Sequence, residues 1–169
     1  AEKKDVTYLI EAMKGIDAKL VIVGDGPLRK QLEEQAKEQG EKIVFLGAKT
    51  HDELKTIYAS ADIFVAPSIT AKDGDQEGVP TAIMEAMASG LPVIASMSGG
   101  IQEIIESKVN GILVKEKDIT SIRSSINEIL RDDQIYERIS SQAIIMAAQR
   151  DYRSLGKRYA IVLNDILER

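Results

Sequence analysis

The chain has 169 residues, 44% of them hydrophobic, enough for one compact domain with a sizeable core. It contains no cysteine, which excludes a disulfide framework and a thiolate metal site. The net charge of -5, from 27 acidic and 22 scattered basic residues, argues against duplex nucleic acid as a partner, because that requires a basic face.

The opening Ala1-Glu2-Lys3-Lys4-Asp5 has no signal-peptide apolar core. No apolar run approaches the roughly 18–20 residues needed to cross a bilayer. A soluble, cytoplasmic protein is expected. Tyr8, Leu9, Ala12, Met13 and Ile16 repeat with helical spacing, and Gly15 closes that segment. Leu20-Val21-Ile22-Val23 reads as a buried strand ended by the turn Gly24-Asp25-Gly26. Pro27 suits the first turn of a helix that Leu28, Leu32 and Ala36 continue to Gly40. Ile43-Val44-Phe45-Leu46 is a second strand ending at Gly47, and residues 52–59 form the next helix, with His51 expected to cap it at the surface.

Ile63-Phe64-Val65 is a third strand, running into a polar loop over residues 67–79. A helix over residues 80–89 leads through Gly90 and Pro92 to the strand Val93-Ile94-Ala95. After Gly99-Gly100 come a short helix over residues 101–105, the turn Asn110-Gly111 and the strand Ile112-Leu113-Val114. From Asp118 the pattern is helical nearly to the end, with breaks at residues 131–133 and 150–151. The segment around Lys108 and Lys117, with Glu106 and Glu116, reads as a mixed-charge surface, and Arg150, Arg153, Lys157 and Arg158 as a solvated basic face. Short, wholly apolar strands alternating with helices predict a doubly wound, Rossmann-like α/β fold, its mainly parallel sheet covered on both faces. Such sheets take ligands at the carboxyl ends of their strands.

Glu77 and Glu85 flank seven residues, Gly78-Val79-Pro80-Thr81-Ala82-Ile83-Met84. Glu77 precedes a helix N-terminus, where converging N–H groups favour an anion. Glu85, on the helix itself, is expected to face the same crevice, where a carboxylate can accept two hydrogen bonds from a diol such as ribose.

This stretch, with the Ala86-Met87-Ala88-Ser89-Gly90-Leu91-Pro92-Val93-Ile94-Ala95 run after it, resembles the E-x7-E region of retaining GT-B glycosyltransferases (glycosyl transferases group 1). Leu20 to Leu28 is similar to the family's V-G-D-G-P turn, Ala61 to Ser68 to its A-D-x-F-V-x-P-S strand, Gly99-Gly100-Ile101-Gln102-Glu103-Ile104 to its G-G-x-x-E-I segment, and Asn110-Gly111 to its N-G. The resemblance implies the C-terminal half of a GT-B fold: a single nucleotide-sugar-binding domain over residues 1–169 that lacks its first strand and the N-terminal acceptor domain.

It also implies the site. Glu77 would be the catalytic contact to hydroxyls of the transferred sugar, and Glu85 would hold the ribose. The backbone of Gly78, Val79, Pro80 and Thr81 would line sugar and diphosphate, Gly24 and Gly26 the nucleotide pocket, and Lys4 the diphosphate, although Asp5 stands where the family has glycine. No metal and no cofactor are expected, the nucleotide-diphosphate sugar being a substrate. Asp73-Gly74-Asp75 has the D-x-D form by which the other glycosyltransferase architecture holds a metal, but reads here as a solvated loop. Gly24-Asp25-Gly26 lacks the third glycine of a dinucleotide fingerprint. The expected activity is retaining glycosyl transfer to a saccharide or lipid-linked acceptor, in polysaccharide or glycolipid assembly, the intact enzyme being open to membrane-surface association. A GT-B-like nucleotide-sugar epimerase and a non-catalytic nucleotide-binding module are the alternatives.

Overall fold

The computed structural model describes residues 6–70, 74 and 78–150. Lys4, Asp5, Asp73, Asp75, Glu77, Arg153, Lys157 and Arg158 lie outside the described residues.

Helix α1 (Val6–Ala12) buries Leu9, Ile10 and Ala12, and the turn after it passes through Gly15 at φ 81°, the left-handed region glycine enters without strain. Strand β1 (Leu20–Val23) pairs in parallel with β2 (Ile43–Gly47). Helix α2 (Arg29–Ala36) lies between them and continues as the 3-10 turn Lys37–Lys42. It starts later than Pro27 because the Gly26 carbonyl accepts the Arg29 N–H at 3.1 Å, which leaves Pro27 in a turn ahead of the helix.

Helix α3 (His51–Ala59) is capped by Thr50. The Thr50 side chain accepts the Glu53 N–H while the Glu53 carboxylate accepts the Thr50 N–H, a capping box. His51 is therefore not the cap; it is the exposed first residue of the helix.

Strand β3 (Phe64–Ala66) begins one residue later than its apolar run, where the Phe64 N–H finds the Pro92 carbonyl at 3.0 Å. Helix α4 (Thr81–Ala88), strand β4 (Val93–Ser96), the 3-10 turn Gly99–Glu103 and strand β5 (Ile112–Val114) follow. Helices α5 (Ile119–Arg131) and α6 (Asp133–Gln149) are separated at Asp132, whose carboxylate accepts the N–H groups of Gln134 and Ile135 and so starts the second helix.

All three strand pairings are parallel, and β4 lies between β3 and β5. Among the described residues the strands form two ladders, β1-β2 and β3-β4-β5, and no backbone pairing joins β1 to β3. The parallel pairing and flanking helices are those expected of a doubly wound, Rossmann-like fold. Both faces of the larger ladder are covered, and alternation along β4 shows how. Ile94 packs with α1, α5 and Ile139 of α6, whereas Val93 and Ala95 pack with Ile83, Ala86 and Met87 of α4 and Ala143 of α6. Successive strand side chains point to opposite faces, so a wholly apolar strand is what a doubly covered sheet requires. A third cluster, Ile10, Leu32, Ala36 and Ile43, fixes α1 and α2 against β2.

Candidate functional site at the carboxyl ends of the strands

Strands β3 and β4 end alike. The Ser68 N–H donates to the Ala66 carbonyl at 2.9 Å, and the Ser98 N–H to the Ser96 carbonyl at 2.8 Å. These tight turns are common at strand ends. They bury Ser68 and Ser98 and turn the chain across the edge where parallel sheets take ligands.

Helix α4 opens beside that edge. Its N-cap, Pro80, has extended backbone and offers no side-chain hydrogen bond. The Ile83 N–H turns back to the Pro80 carbonyl at 3.1 Å, which leaves the Thr81 and Ala82 N–H groups at the helix start to an anion, aided by the helix dipole. Pro80 is buried, while Gly78, Val79 and Thr81 are exposed. A Cβ added at Gly78 would meet nothing within 4 Å, so the side on which a side chain would stand is open.

Gly24 follows β1 at φ 117° and is likewise open, and its N–H donates to the Gly47 carbonyl at 2.8 Å. The turn after β1 is thereby tied to the end of β2. Gly26 is exposed and donates its N–H to Asp25 Oδ1 at 2.7 Å, and Asp25 also pairs with Arg29 at 3.2 Å. Gly24 and Gly26 thus occupy the carboxyl end of one ladder, and Gly78 to Thr81 that of the other.

Glu85, one turn into α4, is half-buried and accepts a hydrogen bond from Tyr58 Oη at 3.2 Å. Burial pushes the Tyr58 hydroxyl up to about 12, and the Glu85 charge and this hydrogen bond add to the shift. Tyr58 also meets Phe64 edge-on, with ring centroids 6.0 Å apart. The helical spacing of Tyr58 in the sequence gave no sign that it would meet a carboxylate. Gly100 is a second feature the motif alone left unexplained: a Cβ there would lie 3.1 Å from the Gly78 carbonyl, so the loop before α4 packs on this glycine.

An open hollow of about 280 Å³ lies elsewhere, lined by Leu46, Lys49, Glu53, Thr56 and Ile57, and none of the expected donor-site residues borders it. Among the described residues no group of three or more His, Asp or Glu side chains is arranged to hold a metal ion. No helix among them is long and apolar enough to cross a membrane.

Parallel ladders, the larger covered on both faces, with an uncapped helix N-terminus at its carboxyl edge, define a Rossmann-like α/β domain of the GT-B glycosyltransferase kind. The chain belongs to the family "Glycosyl transferases group 1", matched over residues 1–146. It is 41% identical over 128 residues to the amylovoran biosynthesis glycosyltransferase AmsK of Erwinia amylovora, covering 72% of this chain and 31% of the relative. It is 36% identical over 143 residues to a GDP-mannose-dependent alpha-mannosyltransferase of Corynebacterium glutamicum, covering 85% of this chain and 32% of the relative. Its fold is similar to Anabaena Alr3699/HepE in complex with UDP, at TM-score 0.85 and 28% identity over 98% of this chain and 46% of that one. The same protein in complex with UDP-glucose gives a TM-score of 0.83. The chain therefore spans less than half the length of these relatives.

Proposed function

We propose that this chain supplies the donor site for glycosyl transfer from a nucleotide-diphosphate sugar to a saccharide or lipid-linked acceptor, with retention at the anomeric carbon. One observation carries the reading: α4 begins, without a side-chain cap, at the carboxyl edge of a parallel ladder, and a half-buried carboxylate, Glu85, stands one turn further on. The α4 N–H groups suit a diphosphate, and the Glu85 carboxylate suits the two hydroxyls of a ribose. The relatives support it, since one is named for GDP-mannose and a structural neighbour holds UDP-glucose.

In this mechanism the bond from the anomeric carbon to the diphosphate breaks, the acceptor oxygen bonds to that carbon from the same face, and the acceptor proton passes to the departing phosphate. Negative charge develops on the diphosphate, and Lys4 together with the backbone from Gly78 to Thr81 stabilises it. Glu77 holds the sugar hydroxyls, and Gly24 and Gly26 border the nucleotide. No metal or cofactor enters the reaction.

The acceptor-binding half and one further strand would precede the present domain. The length of the relatives supports that reading, since the chain covers 31% of one and 46% of another. The intact enzyme would work in the cytoplasm, at the membrane surface where its acceptor is lipid-linked.

Titration of UDP, GDP and ADP and of their sugars into the protein tests the donor reading. Binding of at least one nucleotide sugar is the expected result, and no binding by any would overturn it. Product analysis with and without acceptor then separates transfer from epimerisation, since an epimerase would convert the nucleotide sugar with no acceptor present.

A further inference from the structure

Helical spacing sets Glu85 on the side of α4 away from the buried Ile83, Ala86 and Met87, a position where a glutamate is ordinarily solvated. It is half-buried instead, and Tyr58 Oη of α3 donates to its Oε2 at 3.2 Å. The two residues are 27 positions apart and belong to different helices.

The two side chains differ in freedom. A glutamate turns about three side-chain bonds and loses that freedom when a ligand fixes it. Tyr58 turns about two, and its ring is already held. It meets Phe64 edge-on, with centroids 6.0 Å apart and planes at 61°, and packs on the cluster that contains Ile83, Ala86 and Met87. Burial, with the Glu85 charge adding to it, pushes the hydroxyl up to about 12, so it keeps its proton at neutral pH. Tyr58 has one proton to give, and it goes to Oε2, so Oε1 is not taken by it.

We infer that Tyr58 is a positioning residue for the donor nucleotide, holding Oε2 of Glu85 so that the carboxylate is already oriented when Oε1 meets a ribose hydroxyl. The inference rests on the donor-site reading above, in which Glu85 receives the ribose. Its rival is structural: the same hydrogen bond would then only tie α3 to α4. Since α3 contributes no fully buried residue of its own, such a tie would register in stability.

The two are separated by removing the hydroxyl from the protein and the hydroxyls from the ligand in turn. UDP, GDP and their 2′,3′-dideoxy counterparts are titrated into the parent chain and its Tyr58→Phe variant, with thermal midpoints recorded alongside. The parent should prefer each ribonucleotide to its dideoxy counterpart at least tenfold, the scale of a hydrogen bond to a charged group. Tyr58→Phe keeps the ring and should weaken the ribonucleotides about fivefold, the scale of one net hydrogen bond, while the dideoxy ligands bind as they do to the parent. The preference for ribose thus shrinks about fivefold. Equal weakening of both kinds of ligand, or a lower thermal midpoint with the preference intact, overturns the inference and leaves a structural tie. Should Tyr58→Phe fail to fold, Phe64→Leu takes its place, since it removes the ring that Tyr58 meets edge-on. A reduced preference for ribose then supports the inference, and an unchanged one overturns it. A parent chain that binds none of the four ligands removes the donor site, and one that binds ribose and dideoxyribose forms alike removes Glu85 from the ribose. Either result takes the role of Tyr58 with it, whereas a parent that prefers ribose beside a variant that prefers it equally removes only Tyr58.

Discussion

At the residue scale, the two glutamates of the E-x7-E spacing should separate by assay. Glu85 is held by Tyr58 at 3.2 Å in a half-buried setting, so a ribose diol would meet an oriented carboxylate. Glu85→Ala should weaken nucleoside diphosphate binding by at least tenfold, since hydrogen bonds to a charged group are worth roughly 1.5–3 kcal/mol. Asp75→Ala should bind like the parent, and EDTA should change nothing. A larger loss in Asp75→Ala than in Glu85→Ala, together with sensitivity to EDTA, would favour a metal site instead. Glu77→Ala should behave differently in the intact enzyme. A contact to the sugar that strengthens as charge builds at the anomeric carbon appears in kcat, while the bare diphosphate lacks that sugar. Comparing kcat for the donor with Kd for the diphosphate decides the assignment, and equal losses in both would sink it.

At the scale of elements, glycines that look alike in the sequence have different work. Gly111 stands before β5, and a Cβ there would lie 2.9 Å from Ile105 Cγ2 and 3.0 Å from the Val93 carbonyl oxygen. Backbone of a fully buried strand cannot yield, so Gly111→Ala should cost about 2 kcal/mol in urea unfolding. Gly78→Ala, with open space around the added methyl, should unfold like the parent and change only ligand binding. Matching losses of stability in both variants would show that the two glycines are not distinguished in this way. The α3 capping box supplies a pH signature. A hydrogen bond from Lys49, then the Thr50 N–H and hydroxyl, hold the Glu53 carboxyl at about 2, below its ordinary value of 4.5. A depressed folded-state pKa means that this stabilisation is present above the ordinary value and fades as pH falls toward 2. Thermal midpoints of parent and Glu53→Gln should therefore differ at pH 6 and converge near pH 2. A constant difference across that range would exclude the box as its source.

At the scale of the molecule, a donor site open on one side should bind but not turn over. Gly78, Val79 and Thr81 are exposed at the start of α4, and charge contacts there are weakened by water. Exclusion of water from a transferring sugar requires a facing surface. This chain alone should release no sugar product from UDP-glucose or GDP-mannose with any acceptor. Measurable turnover would show that the site is complete within it.

Local periodicity made much of this legible. Val93-Ile94-Ala95 has no polar face and is covered on both sides, whereas the equally apolar Leu20–Val23 leaves Val21 exposed, and Asp132 and Gly15 mark breaks that hold in the structure. The order of strands and helices, and with it the carboxyl edge where parallel sheets take ligands, follows from those signals because each is encoded within a few residues. Which strands become neighbours, β1 with β2 and β4 between β3 and β5 among the described residues, is something no run of residues states. The partners of the charged groups are equally non-local: Tyr58 reaches Glu85 across 27 positions and Thr70 reaches Glu116 across 46. A lone carboxylate in a mixed-charge stretch reads as solvated until folding brings two donors to it. Helix and strand spacing tells which face of an element is apolar, but only the packed chain decides which charge is partly covered and which donors meet it.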